Sequence, residues 1–178
     1  MNDQPAKALR PEFSRPVDVR QTEGHAPHLV ANANEREALA QRFGLVRIDR
    51  LEADLELSRK ERVVEARGRF VADFVQPCAV SAEDLAVVVD EDIVFRFVPA
   101  ASGHAPDEEI EIDADACDEI EYEGSHIDLG EAVAQSLALA IDPYLTGPNA
   151  DAARKSAGIG TPEDSGPFAA LKGLSTND

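Results

Sequence analysis

The sequence predicts an α+β fold: a mostly antiparallel sheet or partial barrel with one short and one longer amphipathic helix, an acidic loop and a flexible C-terminal tail. Three observations predict it. Residues 51–74 alternate apolar and charged with period two, two other stretches carry helical spacing behind capping residues, and small or turn-forming residues crowd 146–166. Residues 1–11 read as a flexible lead-in, 12–145 as a single domain, and 146–178 as a linker ending in a short amphipathic motif.

A strand-like piece spans Phe13–Val19, and Pro16 confines it to a sheet edge or to its own beginning. After the Gly24–Pro27 turn, His28–Ala31 reads as another short strand. The first helix follows. Asn34 is the expected N-cap, Glu37 completes a capping box, and Gly44 stands where a left-handed C-terminal residue belongs. Leu39 and Phe43, four apart, supply its buried stripe.

The period then changes to two. Leu51, Ala53, Leu55 and Leu57 alternate with Glu52, Asp54 and Glu56, while Val64, Ala66, Phe70 and Phe74 alternate with charged residues. A hairpin turning near Lys60-Glu61 pairs Leu57 with Val64, Leu55 with Ala66 and Leu51 with Phe70. The same register sets Asp54 opposite Arg67 and Glu52 opposite Arg69 on the wet face. Val46 and Ile48 lie in the opposite phase, which calls for a bulge near Asp49-Arg50. A third strand region runs from Leu85 to Val98, with Asp90-Glu91-Asp92 as a turn or bulge.

The second helix has Asp128 as N-cap and Glu131 as its capping-box partner. Leu129, Val133, Leu137 and Ile141 form its stripe, broadened by Ala132 and Ala140, and Asp142-Pro143 ends it. Beyond the linker, Pro167–Lys172 is a short amphipathic unit whose Phe168 and Leu171 either dock on the protein's own sheet or are offered to a partner.

Charge is the most informative arithmetic. The chain has 178 residues and a formal net charge of −18. Residues 1–82 hold 13 Lys/Arg against 13 Asp/Glu, whereas 83–178 hold 4 against 22, so the whole excess lies in the second half. Asp107–Glu123 alone holds 10 acids and no Lys or Arg. Such a block reads as a solvated loop, as a surface for a basic partner, or as a divalent-cation site, although nothing matches a calcium-binding loop. Ile110, Ile112, Ile120 and Tyr122, spaced by two, leave fragments of edge strand open.

No apolar run approaches the roughly 18–20 residues that span a bilayer. Met1–Pro5 lacks the apolar stretch of a secretory signal. Membrane, exported and basic nucleic-acid-binding classes are disfavoured, and a cytoplasmic protein is expected. Cys78 and Cys117 allow one bridge, but a reduced pair is the expectation.

Catalytic motifs are missing from the sequence. It has no Walker loop, no dinucleotide fingerprint and no nucleophile elbow. His126 ahead of Asp128 reads as a turn followed by a capping residue, and Cys78 has no adjacent base. No catalytic residue, metal, cofactor or small-molecule substrate is expected, and the chain reads as a non-enzyme. Seven basic residues lie between Arg47 and Arg69 with six acids among them, a salt-bridged strand face more than a phosphate track.

Several stretches together resemble the YceD family, the large ribosomal RNA subunit accumulation proteins, in the alphaproteobacterial type. They are Pro11–Pro16, Phe43-Gly44-Leu45, Ile48–Leu51, Val75–Val80, Ile127–Glu131, Leu137–Tyr144 and Pro167–Lys172, in the family's order over about residues 11–172. The segment Ile127, Asp128, Leu129, Gly130 and Glu131 is the most specific. Two departures stand out: Val75 replaces the first cysteine of a C-x-x-C that many members carry, which argues against a metal role, and Gly166 precedes Pro-Phe where the family has Asn.

The resemblance implies a factor supporting 23S rRNA accumulation and large-subunit assembly. A strongly acidic body favours action through a basic ribosomal protein or a pre-ribosomal large-subunit particle. The expected partner surface is Glu108, Glu109, Glu111, Asp113 and Asp115, beside the Ile127–Glu131 motif. Direct 23S rRNA contact is the second reading. Its candidates are Arg47, Arg50, Arg59, Lys60, Arg62, Arg67 and Arg69, with Arg67 and Arg69 the residues singled out. An acidic interaction module unrelated to ribosomes is the third.

Overall fold

A computed structural model describes residues 11–100 and 119–159. The lead-in, most of the acidic block with Glu108, Glu109, Glu111, Asp113 and Asp115, and the tail with Phe168 and Leu171 lie outside the described residues. The chain divides into two compact units, one formed by Met1–Gln76 with Ala86–Ile141 and the other by Pro77–Leu85 with Asp142–Asp178.

Five strands form a mixed sheet in the order β2 (His28–Val30), β3 (Arg47–Lys60), β4 (Val63–Pro77), β5 (Asp84–Pro99) and β6 (Glu119–Tyr122). A separate antiparallel pair joins β1 (Pro16–Asp18) to β7 (His126–Asp128). Pro16 opens β1, as its missing N–H requires. Helices α1 (Ala33–Phe43) and α2 (Leu129–Ala140) belong to the larger unit, and α3 (Ala150–Ser156) to the smaller.

The inward faces of β3 and β4 follow the period-two reading. Leu51, Leu55, Leu57, Val64, Ala66, Phe70 and Phe74 are all buried. They share one core with Leu39 of α1 and with Leu129, Val133 and Leu137 of α2. The register, however, is displaced by two residues from the expected one: Leu57 faces Ala66, Leu55 faces Gly68 and Leu51 faces Ala72. Two local features account for this. The turn is Glu61-Arg62, closed by the Lys60–Val63 pair, and Glu61 adopts the left-handed φ of 58° that such a tight turn needs. At Gly68 the strands come so close that a Cβ would lie 1.8 Å from the Asp54 carbonyl oxygen, so glycine must sit opposite residue 55. Because the displacement is an even number, every side chain keeps its face. The expected bulge is present between Ile48 and Arg50, and it turns both Ile48 and Leu51 inward.

Other expectations are corrected. The helix caps differ first: α1 starts at Asn32, not Asn34. Asn32 accepts from the Asn34 and Glu35 amides, and Glu35 accepts back from the Asn32 amide. The sequence offers two overlapping boxes, and the earlier one gives the longer helix and a Glu35 that also receives Arg15. Gly44 ends the helix at φ 67°, as expected. Asp128 does cap α2, but the Glu131 carboxylate turns to Arg42 and not back to the cap. At 11 and 12 residues, α1 and α2 do not differ as short and long.

The strands and linker differ too. β5 runs unbroken through Asp90-Glu91-Asp92, since 85, 87, 89 and 93, 95, 97 keep one phase. The sheet is mixed because β6 pairs parallel to β5, Arg96 with Glu119 through Pro99 with Tyr122. Within the stretch read as linker, α3 forms.

Candidate functional site

The start of α2 is the most densely bonded polar region of the larger unit. Asp128 Oδ1 accepts from the amides of Arg15 (2.7 Å), Gly130 (3.0 Å) and Glu131 (3.1 Å), and its Oδ2 accepts from the Ser14 hydroxyl (2.5 Å). Arg15 forks onto Glu35 at 2.8 and 2.9 Å and lies 4.6 Å over the Phe13 ring. That pairing raises the Arg15 guanidinium and lowers the Glu35 carboxyl from their ordinary ranges. Arg42 donates to Glu131 at 2.8 and 3.0 Å and to Glu12 at 3.0 Å, tying the N-terminal segment, α1 and α2 together. Hydrogen bonding to Glu131 is the main reason its guanidinium is raised.

Gly130 sits under the Phe13 carbonyl, where a Cβ would come within 2.4 Å of that oxygen. Ile127, Leu129 and Gly130 are buried. The five residues of the most specific segment are therefore brought together, but as a fastening between the chain's start and a helix. Sequence reasoning found Asp128 from its capping pattern. It missed Ser14, Arg15, Glu35 and Arg42, whose partners are distant in sequence.

The wet face of the sheet neutralises its cations almost throughout. Arg47 pairs with Asp49, Arg50 with Glu52, and Arg96 with Glu119. Arg67, expected opposite Asp54, lies opposite Glu56 and pairs with Glu65 on its own strand. Arg69 lies opposite Asp54 and forks onto Asp90 of β5. Both guanidiniums are raised by these carboxylates, and Asp90 and Glu65 are lowered by them.

The hairpin tip differs. Arg59, Lys60 and Arg62 are exposed, and no described carboxylate forms an ion pair with any of them. Two bonds fix the backbone beneath them: the Arg59 amide donates to Glu23 Oε2 (2.8 Å), and the Tyr122 hydroxyl donates to the Arg62 carbonyl (2.7 Å). Tyr122 is itself buried.

In the smaller unit the loop 78–82 wraps the Cys78 sulfur. The amides of Val80 (3.4 Å), Ser81 (3.3 Å) and Gly147 (3.3 Å) donate to Sγ, and Cys78 is a free, buried thiol. The Ser81 hydroxyl, which faces the sulfur without meeting ordinary hydrogen-bond geometry, is the largest influence, followed by the Gly147 and Ser81 amides. Together they outweigh burial and push the thiol down to about 6. Among the described residues, the sulfur is buried and met by backbone amides, with no neighbouring base. Among the described residues, no three His, Cys, Asp or Glu side chains gather as a metal site, and no helix is long and apolar enough to cross a membrane.

A family model described as "Large ribosomal RNA subunit accumulation protein YceD" matches residues 66–175. That span begins inside β4 and includes the acidic block, the start of α2 and the tail segment Pro167–Lys172. No curated protein and no solved structure matches the chain significantly.

Proposed function

Because the chain belongs to the YceD family of large ribosomal RNA subunit accumulation proteins, we propose that it is a non-enzymatic factor for 23S rRNA accumulation that acts through a basic ribosomal protein in the large-subunit assembly pathway. The family match carries the ribosomal part of this reading. The charge distribution carries the choice of partner: a half with 22 acids and 4 bases repels phosphate and attracts a basic protein awaiting its RNA. The acids of 107–123 immediately precede the family's most specific segment in sequence. They offer such a protein a temporary substitute for the phosphate backbone, with fast, salt-sensitive association.

The test is a full-chain variant in which Glu108, Glu109, Glu111, Asp113 and Asp115 become Gln or Asn. Relief of self-repulsion leaves its melting temperature unchanged or raises it. Capture of ribosomal proteins from lysate is lost, and the variant does not restore 23S rRNA in a deletion strain. Full capture and full rescue by this variant would overturn the reading.

A further inference from the structure

We propose that the β3–β4 hairpin tip, through Arg59, Lys60 and Arg62, is a contact for the phosphate backbone of RNA. The inference rests on the ribosomal reading above and adds a second, oppositely charged surface to it. The first observation is selective neutralisation. Arg47, Arg50, Arg67, Arg69 and Arg96 each have a described carboxylate partner, whereas the three tip cations have none. They fall within four consecutive positions, so even with Glu61 in the turn and Glu23 at the Arg59 amide the cluster remains positive. In a chain at −18 such a concentration of unopposed cations stands apart from the pattern of the rest of the sheet.

The second observation is preorganisation. Glu23 and Tyr122 hold the tip backbone from two sides, and the turn itself is held with Glu61 at a positive φ. A fixed tip loses less conformational freedom on binding than a loose loop of the same charge. Two guanidinium forks and one ammonium suit phosphodiester oxygens. The described residues that line the cleft beside them, Ser58, Lys60, Glu61, Val63, Glu65 and Arg96, include no aromatic side chain to stack on a base. The contact is therefore with backbone and indifferent to sequence. The four residues of the tip, Arg59, Lys60, Glu61 and Arg62, are all charged, and the apolar Val63 beside them is only half-exposed, which favours a nucleic acid over insertion into a lipid surface.

The test uses the full chain and a fluorescently labelled single-stranded RNA of mixed sequence, about 20 nucleotides long, read by anisotropy at several salt concentrations. Three contacts on a single strand predict a log–log salt slope of about −2. The triple variant Arg59→Ala, Lys60→Ala, Arg62→Ala loses affinity by about tenfold or more at low salt and keeps its melting temperature. Arg59→Lys with Arg62→Lys retains most of the binding, since the charge remains. Arg67→Ala with Arg69→Ala changes affinity by less than about twofold, because those cations are already neutralised. Wild-type affinity in the triple variant, no wild-type binding at low salt, or equal binding to phosphatidylserine vesicles would each overturn the proposal. Ribosomal-protein capture by the triple variant stays at the wild-type level, so failure of the tip and failure of the acidic surface give different results.

Discussion

The start of α2 and the tip of the β3–β4 hairpin handle charge in opposite ways within one compact unit. At the first, Asp128, Glu131, Glu35, Arg15 and Arg42 all have protein partners, so each charge helps hold the chain's beginning against two helices. At the second, three cations sit on a fixed backbone with no described partner. The more recognisable sequence pattern belongs to the region whose charges are internally satisfied. That contrast teaches that a family-specific motif need not be the contact surface: its specificity can lie in packing that a single Cβ at Gly130 would disturb.

The contrast breaks first at Asp128. Replacing it with Ala removes a helix cap and leaves the part-buried Ser14 hydroxyl and Arg15 amide without their acceptor. The expected loss is about 2–4 kcal/mol by chemical denaturation. Asp128→Asn, which keeps one acceptor oxygen, loses less. If Asp128→Ala unfolds with the wild-type midpoint, the region is no fastening and its charges are free for another role.

A smaller effect comes from Cys78, whose sulfur accepts from three amides and is faced by the Ser81 hydroxyl. An unfolded thiol ionises near 8.5, and the folded one at about 6. The folded state thus holds fewer protons between those values, and stability rises as pH increases through that window. The contribution is complete above the unfolded value and is lost as pH falls through about 6. Melting temperatures from pH 6 to 9 should climb in the wild type, and the climb should be weaker in Cys78→Ala. Equal slopes in the two proteins would show that the sulfur is not held as an anion.

The least change in stability is expected at the tip. Removing the exposed side chains of Arg59, Lys60 and Arg62 alters unfolding by no more than about 0.5 kcal/mol each. A larger loss would mean that these cations support the fold after all.

Much of this architecture was legible because local patterning and tertiary structure agree. Alternation at Leu51–Leu57 and Val64–Phe74 places the core faces, and the phase break at Ile48 places the bulge. The exact pairing was not legible, because nothing in composition marks Glu61 as the left-handed residue of the turn. Parallel addition of β6 comes after residues 101–118, which lie outside the described residues, and no local signal reveals its direction. The site was less legible than the fold. Arg67 and Arg69 were expected opposite Asp54 and Glu52, but the two-residue register shift leaves Arg67 to Glu65 of its own strand, and Asp90, from another strand, takes Arg69. Glu131 read as a capping partner because Arg42, 89 residues distant, is invisible to helix rules.

The central claim is this division between a fastening and a contact. Backbone and arginine side-chain NMR shifts of the full chain, followed while the mixed-sequence RNA is added, test it most directly. The account predicts perturbations centred on Arg59, Lys60, Glu61 and Arg62, with Ser14, Arg15 and Gly130 unmoved. Perturbations centred on Ile127–Glu131, with a silent hairpin tip, would contradict it.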